Sequence, residues 1–213
     1  MYQRSCIFRS KTAHLALPDL ELVFLDGPMN LVPKIVATSS KQVDTTAFKA
    51  WWDPTKPLTE DAQHKLLQYI GDALHANGPF DGVLGFSQGA VLASWLCSNY
   101  SRHELDWSPS LAVLVGGYTD PRDANTVFKH GITDGIHSFH AFGVNDRVVP
   151  AAKSESLAQL FESATPSLVT RHVHEQGHIV PKSPAIINAL QEFIDEHDEY
   201  HATPMLYHAQ QLR

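Results

Sequence analysis

The sequence has little cysteine, no cluster of basic residues and no long apolar run. Cys6 and Cys97 are the two cysteines among 213 residues, too few for a disulfide framework, which predicts a reducing, cytoplasmic setting. The 16 basic residues are scattered and are outnumbered by 23 acidic ones, leaving a net charge of −7, so no nucleic-acid partner is expected. No stretch approaches the ~20 apolar residues of a membrane span, and the N-terminus lacks the apolar core of a secretory signal.

Apolar segments alternate with helical patterns along the chain, without an internal repeat or a linker. Strands are predicted at residues 20–25, 80–86, 110–115, 136–142 and 167–173, and helices at 59–77, 90–97, 151–164 and 183–197. This alternation predicts the α/β class, with a mostly parallel sheet and helices on both faces. We expect a single domain over residues 1–197, an irregular, lid-like segment at 27–58 and a polar C-terminal tail at 198–213.

One pentapeptide has the spacing of a catalytic turn. Gly85-Phe86-Ser87-Gln88-Gly89 follows a predicted strand and opens an apolar helix. A G-x-S-x-G sequence in that context forms a sharp strand-to-helix turn that exposes the serine hydroxyl, and its glycines allow close approach of neighbouring backbone. Ser87 is therefore the candidate nucleophile. The N–H of Gln88, at the start of the helix, is the candidate oxyanion donor.

A serine hydroxyl needs a base, and His178 is the best placed of the 13 histidines. It lies in a loop after the last predicted strand, whereas His140 and His174 lie within strands. The spacing of His172, His174 and His178 also suggests a metal site, but His172 and His174 alternate along a strand and no carboxylate or cysteine stands at ligand spacing. We expect no metal and no cofactor.

The acid that orients the base should lie between Ser87 and His178 in sequence. Asp146 does so, in the segment Gly143-Val144-Asn145-Asp146 that directly follows a predicted strand. A turn or helix-capping role for Asp146 is the structural alternative. Asp120 and Asp123 are competing acids, because they follow the strand that ends near residue 115. The favoured triad is Ser87, His178 and Asp146.

Several segments together resemble the FSH-type serine hydrolases of the α/β-hydrolase superfamily. The resemblance covers nearly the whole chain, and its most specific part is the run GPFDGVLGFSQGA at residues 78–90. It also includes FRSK at 8–11, LDGP at 25–28, Trp51-Trp52, the Gly143 to Pro150 segment and HEQGH at 174–178. The resemblance implies a small cytoplasmic esterase or thioesterase with the same triad, in some cases releasing a carrier-bound acyl chain in fungal secondary metabolism.

The beginning of the chain departs from that family. Such proteins usually start with an apolar strand ending in His-Gly, followed by residues similar to Tyr2-Gln3-Arg4-Ser5, and here no such strand precedes Tyr2. The second oxyanion N–H would come from Tyr2. We expect the missing strand to leave an exposed sheet edge and to slow turnover.

The predicted function is hydrolysis of a carboxylic ester or thioester through an acyl-enzyme at Ser87. The alternative is a catalytically impaired member that binds an acyl ligand or a protein partner. Trp51 and Trp52 lie in the longest irregular segment, where bulky side chains either line a substrate pocket or pack into the core. We treat both tryptophans as candidate substrate-binding residues.

Overall fold

The computed structural model contains both helices and strands. It describes residues 4–15, 17, 20–32, 48–119, 126–165 and 168–202. The chain begins with helix α1 (Ser5–Thr12) and a 3-10 turn (Ala13–Leu15). The further elements are β1 (Met29–Asn30), β2 (Lys49–Ala50), α2 (Glu60–Asn77), β3 (Gly82–Phe86), α3 (Gln88–Leu96), α4 (Asn99–Leu105), β4 (Leu111–Val115), β5 (His137–Gly143), α5 (Ala151–Glu162), β6 (Val169–His174) and α6 (Pro184–Ala202).

Four of the strands form one parallel sheet. Its order is β3-β4-β5-β6, and each pair runs parallel. Strands β1 and β2 form a separate antiparallel pair. Because parallel neighbours are joined through helices, the chain places α3 between β3 and β4 and α5 between β5 and β6. The predicted α/β fold with a parallel sheet is confirmed.

The two inner strands of the sheet, β4 and β5, are buried on both faces. All five residues of β4 are buried, as expected for an inner strand with an unbroken apolar sequence. Ala112 and Leu114 pack into one core cluster with residues of α2, α3 and α5. Leu111, Val113 and Val115 pack into a second cluster with residues of α6 and the 3-10 turn. The carboxyl ends of the strands thus share one edge between two helical layers, where sites of α/β proteins lie.

Some of the helix boundaries predicted from the sequence agree with the structure and others do not. Helix α2 begins after Thr59, whose hydroxyl accepts the N–H of Ala62 at 3.2 Å, as the pattern predicted. The closing helix extends to Ala202 instead of ending at residue 197, so the predicted tail begins with helix. The lid-like segment contains the β1–β2 pair, while residues 33–47 lie outside the described part. Helices α1 and α4 were not predicted.

The predicted strand at residues 20–25 is wrong. Residues 21–26 alternate between exposed and half-buried, which is the period of a strand. However, no backbone hydrogen bond joins residues 21–25 to another described residue. The sequence carries the strand pattern, but a strand also needs a neighbour, and among the described residues it has none.

Candidate active site

Ser87 occupies a strained turn between β3 and α3. Its backbone has φ 56° and ψ −122°, a region that non-glycine residues rarely adopt and that functional sites often contain. The Ser87 N–H donates to the carbonyl of Val115 at 2.9 Å, which ties the turn to the neighbouring strand. Gly85 is required because a Cβ there would collide with the carbonyl of Gly89. The turn therefore has the geometry that the G-x-S-x-G spacing predicted.

His178 lies between the serine and an aspartate. Its Nε2 is 2.8 Å from the Oγ of Ser87, and its Nδ1 is 2.6 Å from the Oδ2 of Asp146. The imidazole also lies against the ring of Phe86, with 4.8 Å between ring centroids. These contacts bring together residues that are 91 and 32 positions apart in the sequence. Both distances are within the range expected for a nucleophile, a base and its orienting acid.

Asp146 is held as a buried carboxylate. Its side chain is only 2% exposed, and its Oδ1 accepts the N–H groups of Val148 and Val149, each at 2.8 Å. Burial raises the pKa of this carboxyl, but the hydrogen bonds from Val149, His178 and Val148 together outweigh burial and lower the pKa below its ordinary value. Asp146 is thus ionised where it meets the imidazole. The competing acids Asp120 and Asp123 lie outside the described residues.

The loops carrying the acid and the base are joined directly, which the sequence did not predict. The Asn145 side chain donates to the carbonyl of Glu175 at 2.6 Å, and the Val144 N–H donates to the carbonyl of His174 at 2.9 Å. Gly143 permits this approach, because a Cβ there would collide with the carbonyl of Gln176. The sequence indicated the proximity of the two loops only through their positions, because each directly follows a strand and the two strands are parallel neighbours.

Gln88 connects the turn to the tryptophan pair. Its backbone N–H is the first of α3, so the helix offers it no carbonyl one turn earlier. The Oε1 of its buried side chain accepts the backbone N–H of Trp51 at 3.0 Å, and its Nε2 donates to the backbone carbonyl of Trp52 at 2.9 Å. The indole of Trp52 stacks on Trp95 at 4.9 Å between centroids, and both tryptophans pack against the core. A substrate-binding role for Trp51 and Trp52 stays a prediction.

Three other histidines, His140, His172 and His174, lie on β5 and β6. His140 is buried, its Nε2 lies 3.1 Å from the Ser138 hydroxyl, and burial followed by the charge of Arg171 lowers its pKa to about 3. Burial also lowers the pKa of His172, and burial and then the neighbouring His172 lower that of His174. Across the described ranges, no three His, Cys, Asp or Glu side chains are grouped to hold a metal.

Comparison with known proteins identifies the family. The family model described as Serine hydrolase (FSH1) matches residues 1–190. The chain is a member of the FSH1 serine hydrolase family. This serine hydrolase is 31% identical over 209 residues to Esterase OVCA2 of Danio rerio, covering 88% of this chain and 89% of the relative. It is 33% identical over 215 residues to Esterase OVCA2 of Homo sapiens, covering 90% and 91%.

Solved structures agree on the fold of this serine hydrolase. The carboxylesterase of Bacillus cereus superposes with a TM-score of 0.58 at 17% identity, covering 91% of this chain and 83% of that structure. The chain therefore has the α/β-hydrolase fold, as the resemblance implied. Within its described part, no helix is both long and apolar enough to cross a membrane. Tyr2, the predicted second oxyanion donor, lies outside the described residues.

Proposed function

We propose that this serine hydrolase cleaves carboxylic esters or thioesters through a covalent acyl-enzyme at Ser87. The observation that carries the proposal is the continuous arrangement of Ser87 Oγ, His178 and the Asp146 carboxylate, with 2.8 and 2.6 Å between successive partners. Family membership and the esterase names of the relatives support the same reaction. No cofactor takes part in it.

In the first half-reaction, Ser87 Oγ attacks the carbonyl carbon of the substrate while His178 Nε2 takes the hydroxyl proton. Asp146 holds the Nδ1–H and stabilises the imidazolium that forms. The tetrahedral intermediate then expels the alkoxide or thiolate, which receives the proton from Nε2. The products of this step are the acyl-Ser87 ester and a free alcohol or thiol.

In the second half-reaction, water takes the place of the departed group. His178 Nε2 removes a proton from the water, and the resulting hydroxide attacks the acyl carbon. When the second tetrahedral intermediate collapses, the proton returns to Ser87 Oγ and the carboxylic acid is released. The base is thus restored to its starting state, and the protein needs no other reactant.

The negative oxygen of both intermediates is stabilised by backbone donors. We assign the Gln88 N–H to this role because it lies directly after the nucleophile at the start of α3. The positive end of the helix dipole adds to the stabilisation. Tyr2 N–H remains the proposed second donor. Removal of one donor from such a site typically costs about 10²–10³ in kcat.

The substrate is proposed by chemical class. A small-molecule ester fits the family, and Trp51 and Trp52 are proposed to contact its acyl part from the segment that Gln88 anchors. A thioester, a carrier-protein-bound acyl chain and a place in fungal secondary metabolism stay predictions from the resemblance. A cytoplasmic location likewise stays a prediction. The intact triad geometry favours an enzyme over the alternative of an impaired acyl-binding or protein-binding member.

A fluorophosphonate probe combined with one substitution tests this function. The wild-type protein should be labelled and should hydrolyse p-nitrophenyl butyrate, whereas Ser87→Ala should lose labelling and about 10⁴–10⁶ of kcat. Ser156→Ala is the matched control, since its hydroxyl donates to the Ala152 carbonyl on the exposed side of α5. Labelling of Ser87→Ala, or more than a few per cent of wild-type turnover, would overturn the assignment.

A further inference from the structure

The loop that carries the catalytic base is bound to the segment that carries the acid where the loop begins. This base loop (residues 175–179) directly follows the last residue of β6. The carbonyl of His174 accepts the Val144 N–H at 2.9 Å. The carbonyl of Glu175 accepts the Asn145 side chain at 2.6 Å. These two hydrogen bonds fix the start of the loop but do not reach the base itself.

The next peptide group of the base loop is bound by a side chain. The backbone N–H of Gln176 donates to Nδ1 of His174 at 3.3 Å, which closes a turn between residues i and i+2. Aspartate and asparagine side chains close the same kind of turn in other loops. The Ile179 N–H then donates to the Gly177 carbonyl at 2.9 Å. Hydrogen bonds therefore hold the loop both before and after His178.

The imidazole of His174 is in the protonation state that this turn requires. A neutral imidazole has one accepting nitrogen and one N–H, whereas an imidazolium has two N–H groups and accepts nothing. Burial lowers the pKa of His174, the neighbouring His172 lowers it further, and the opposing effect of Asp146 is smaller. The ring is therefore neutral at neutral pH. Because Nδ1 accepts the Gln176 N–H, the ring proton lies on Nε2.

The ring of His174 also lies close to the strand end that leads to the acid. A Cβ on Gly143 would be 2.9 Å from its Cε1, so only a glycine leaves room for the ring there. The Nε2 of His174 is buried, and no described residue forms a hydrogen bond with it. The imidazole thus packs beside the segment that leads to Asp146, while its Nδ1 binds the loop that leads to His178.

We propose that His174 is a positioning residue for the catalytic base, because its Nδ1 is the acceptor that fixes the turn before His178. It acts through the backbone of Gln176 and not on the substrate. The inference rests on the proposed function, since it needs His178 to remove the proton of Ser87. That transfer needs a distance of about 3 Å between base and hydroxyl, and a shift of about 1 Å can cost about 10²-fold in rate. Loss of the acceptor should therefore lower kcat.

Two substitutions of His174 separate the acceptor from the packing of the ring. His174→Leu keeps a side chain of similar size but has no acceptor. His174→Asn is smaller, but its Oδ1 accepts the N–H two residues later in an Asx turn. If the ring only fills space, His174→Leu should be the more active variant, because a smaller side chain leaves a cavity. If the acceptor positions the base, His174→Asn should be the more active variant.

Turnover of p-nitrophenyl butyrate distinguishes these outcomes. We expect His174→Leu to lose about 10- to 100-fold of kcat with KM changed less than about twofold, and His174→Asn to stay within about threefold of wild type. Equal kcat in two folded variants, a more active His174→Leu, or a loss confined to KM would overturn the proposal. A wild-type protein with neither turnover nor fluorophosphonate labelling of Ser87 would instead refute the proposed function. Labelled, active wild type with equal variants would refute the positioning role alone.

Hydrogen exchange measures the turn directly. Gln176 is exposed, so the protection of its amide depends on the bond to His174. The amide should exchange slowly in wild type and in His174→Asn, and about tenfold faster in His174→Leu. If His174→Leu does not fold, His174→Gln replaces it, because its amide oxygen lies one bond further from the backbone and does not close the same turn. Equal exchange in wild type and in the variant without the acceptor would contradict the proposal.

Discussion

Replacing Asp146 by asparagine should inactivate the enzyme by changing the protonation of His178 while preserving the shape of the site. The Oδ1 of Asp146 accepts two backbone N–H groups, so an asparagine must place its carbonyl oxygen there. Its NH₂ group then occupies the position of Oδ2 and points at Nδ1 of His178. A donor at that position forces Nδ1 to accept, and the imidazole proton moves to Nε2.

An imidazole that carries its proton on Nε2 cannot remove the proton of Ser87. Loss of the correct tautomer in a comparable triad lowers kcat by about 10⁴, which corresponds to about 5 kcal/mol of transition-state stabilisation. We therefore expect Asp146→Asn to lose about 10⁴ of kcat on p-nitrophenyl butyrate. KM should change little, because the substitution touches neither the acyl group nor the leaving group.

The matched control is Asp72→Asn, the same change at an exposed position on α2. Circular dichroism and thermal melting must show that Asp146→Asn is folded at the assay temperature. A folded Asp146→Asn protein that retains more than a tenth of wild-type kcat would refute the role given to Asp146. Equal losses in both variants would refute the tautomer argument.

Three further results are expected. The pKa of Asp146 is lowered in the folded state, so the ionised carboxylate stabilises the fold at pH values above the ordinary carboxyl pKa near 4. That stabilisation is lost as the pH falls through the folded-state pKa. The free energy of urea unfolding should therefore change less between about pH 5 and pH 2 in Asp146→Asn than in wild type. Gln88→Ala should destabilise the protein by about 1–3 kcal/mol in urea, since it leaves the Trp51 N–H and the Trp52 carbonyl without their partner, and a loss below 0.5 kcal/mol would contradict that anchoring. Trp51→Ala should lower kcat/KM more for p-nitrophenyl decanoate than for the acetate, and equal losses for both esters would restrict Trp51 to a packing role.

The meeting of Ser87, His178 and Asp146 could be predicted because their positions follow from chain order and strand direction. Ser87 follows β3, Asp146 follows β5 and His178 follows β6. Because the four strands β3 to β6 are parallel, their carboxyl ends lie at one sheet edge, so residues just after different strands come together. The distances between Ser87, His178 and Asp146 are the physical consequence of that topology.

Other features depend on tertiary contacts that a sequence pattern does not contain. The hydrogen bond from Asn145 to the Glu175 carbonyl requires two loops to come into contact. The spacing of apolar residues in the sequence does not indicate which loops touch. Helix α1 has a mixed sequence in which only Thr12 is buried, so its apolar pattern is weak. Residues 21–25 show the opposite case, because their strand pattern is clear but no described residue forms a backbone hydrogen bond with them.

Direct trapping of the acyl-enzyme tests whether Ser87 is the nucleophile. The protein is mixed with p-nitrophenyl acetate, quenched with acid within the first turnover, digested and analysed by mass spectrometry. We expect a burst of p-nitrophenol equal to the enzyme concentration and an acetyl group on Ser87, and we expect neither in Ser87→Ala. Full turnover with no acetylated Ser87 at any quench time, or acetyl on another residue that forms at the burst rate, would contradict it.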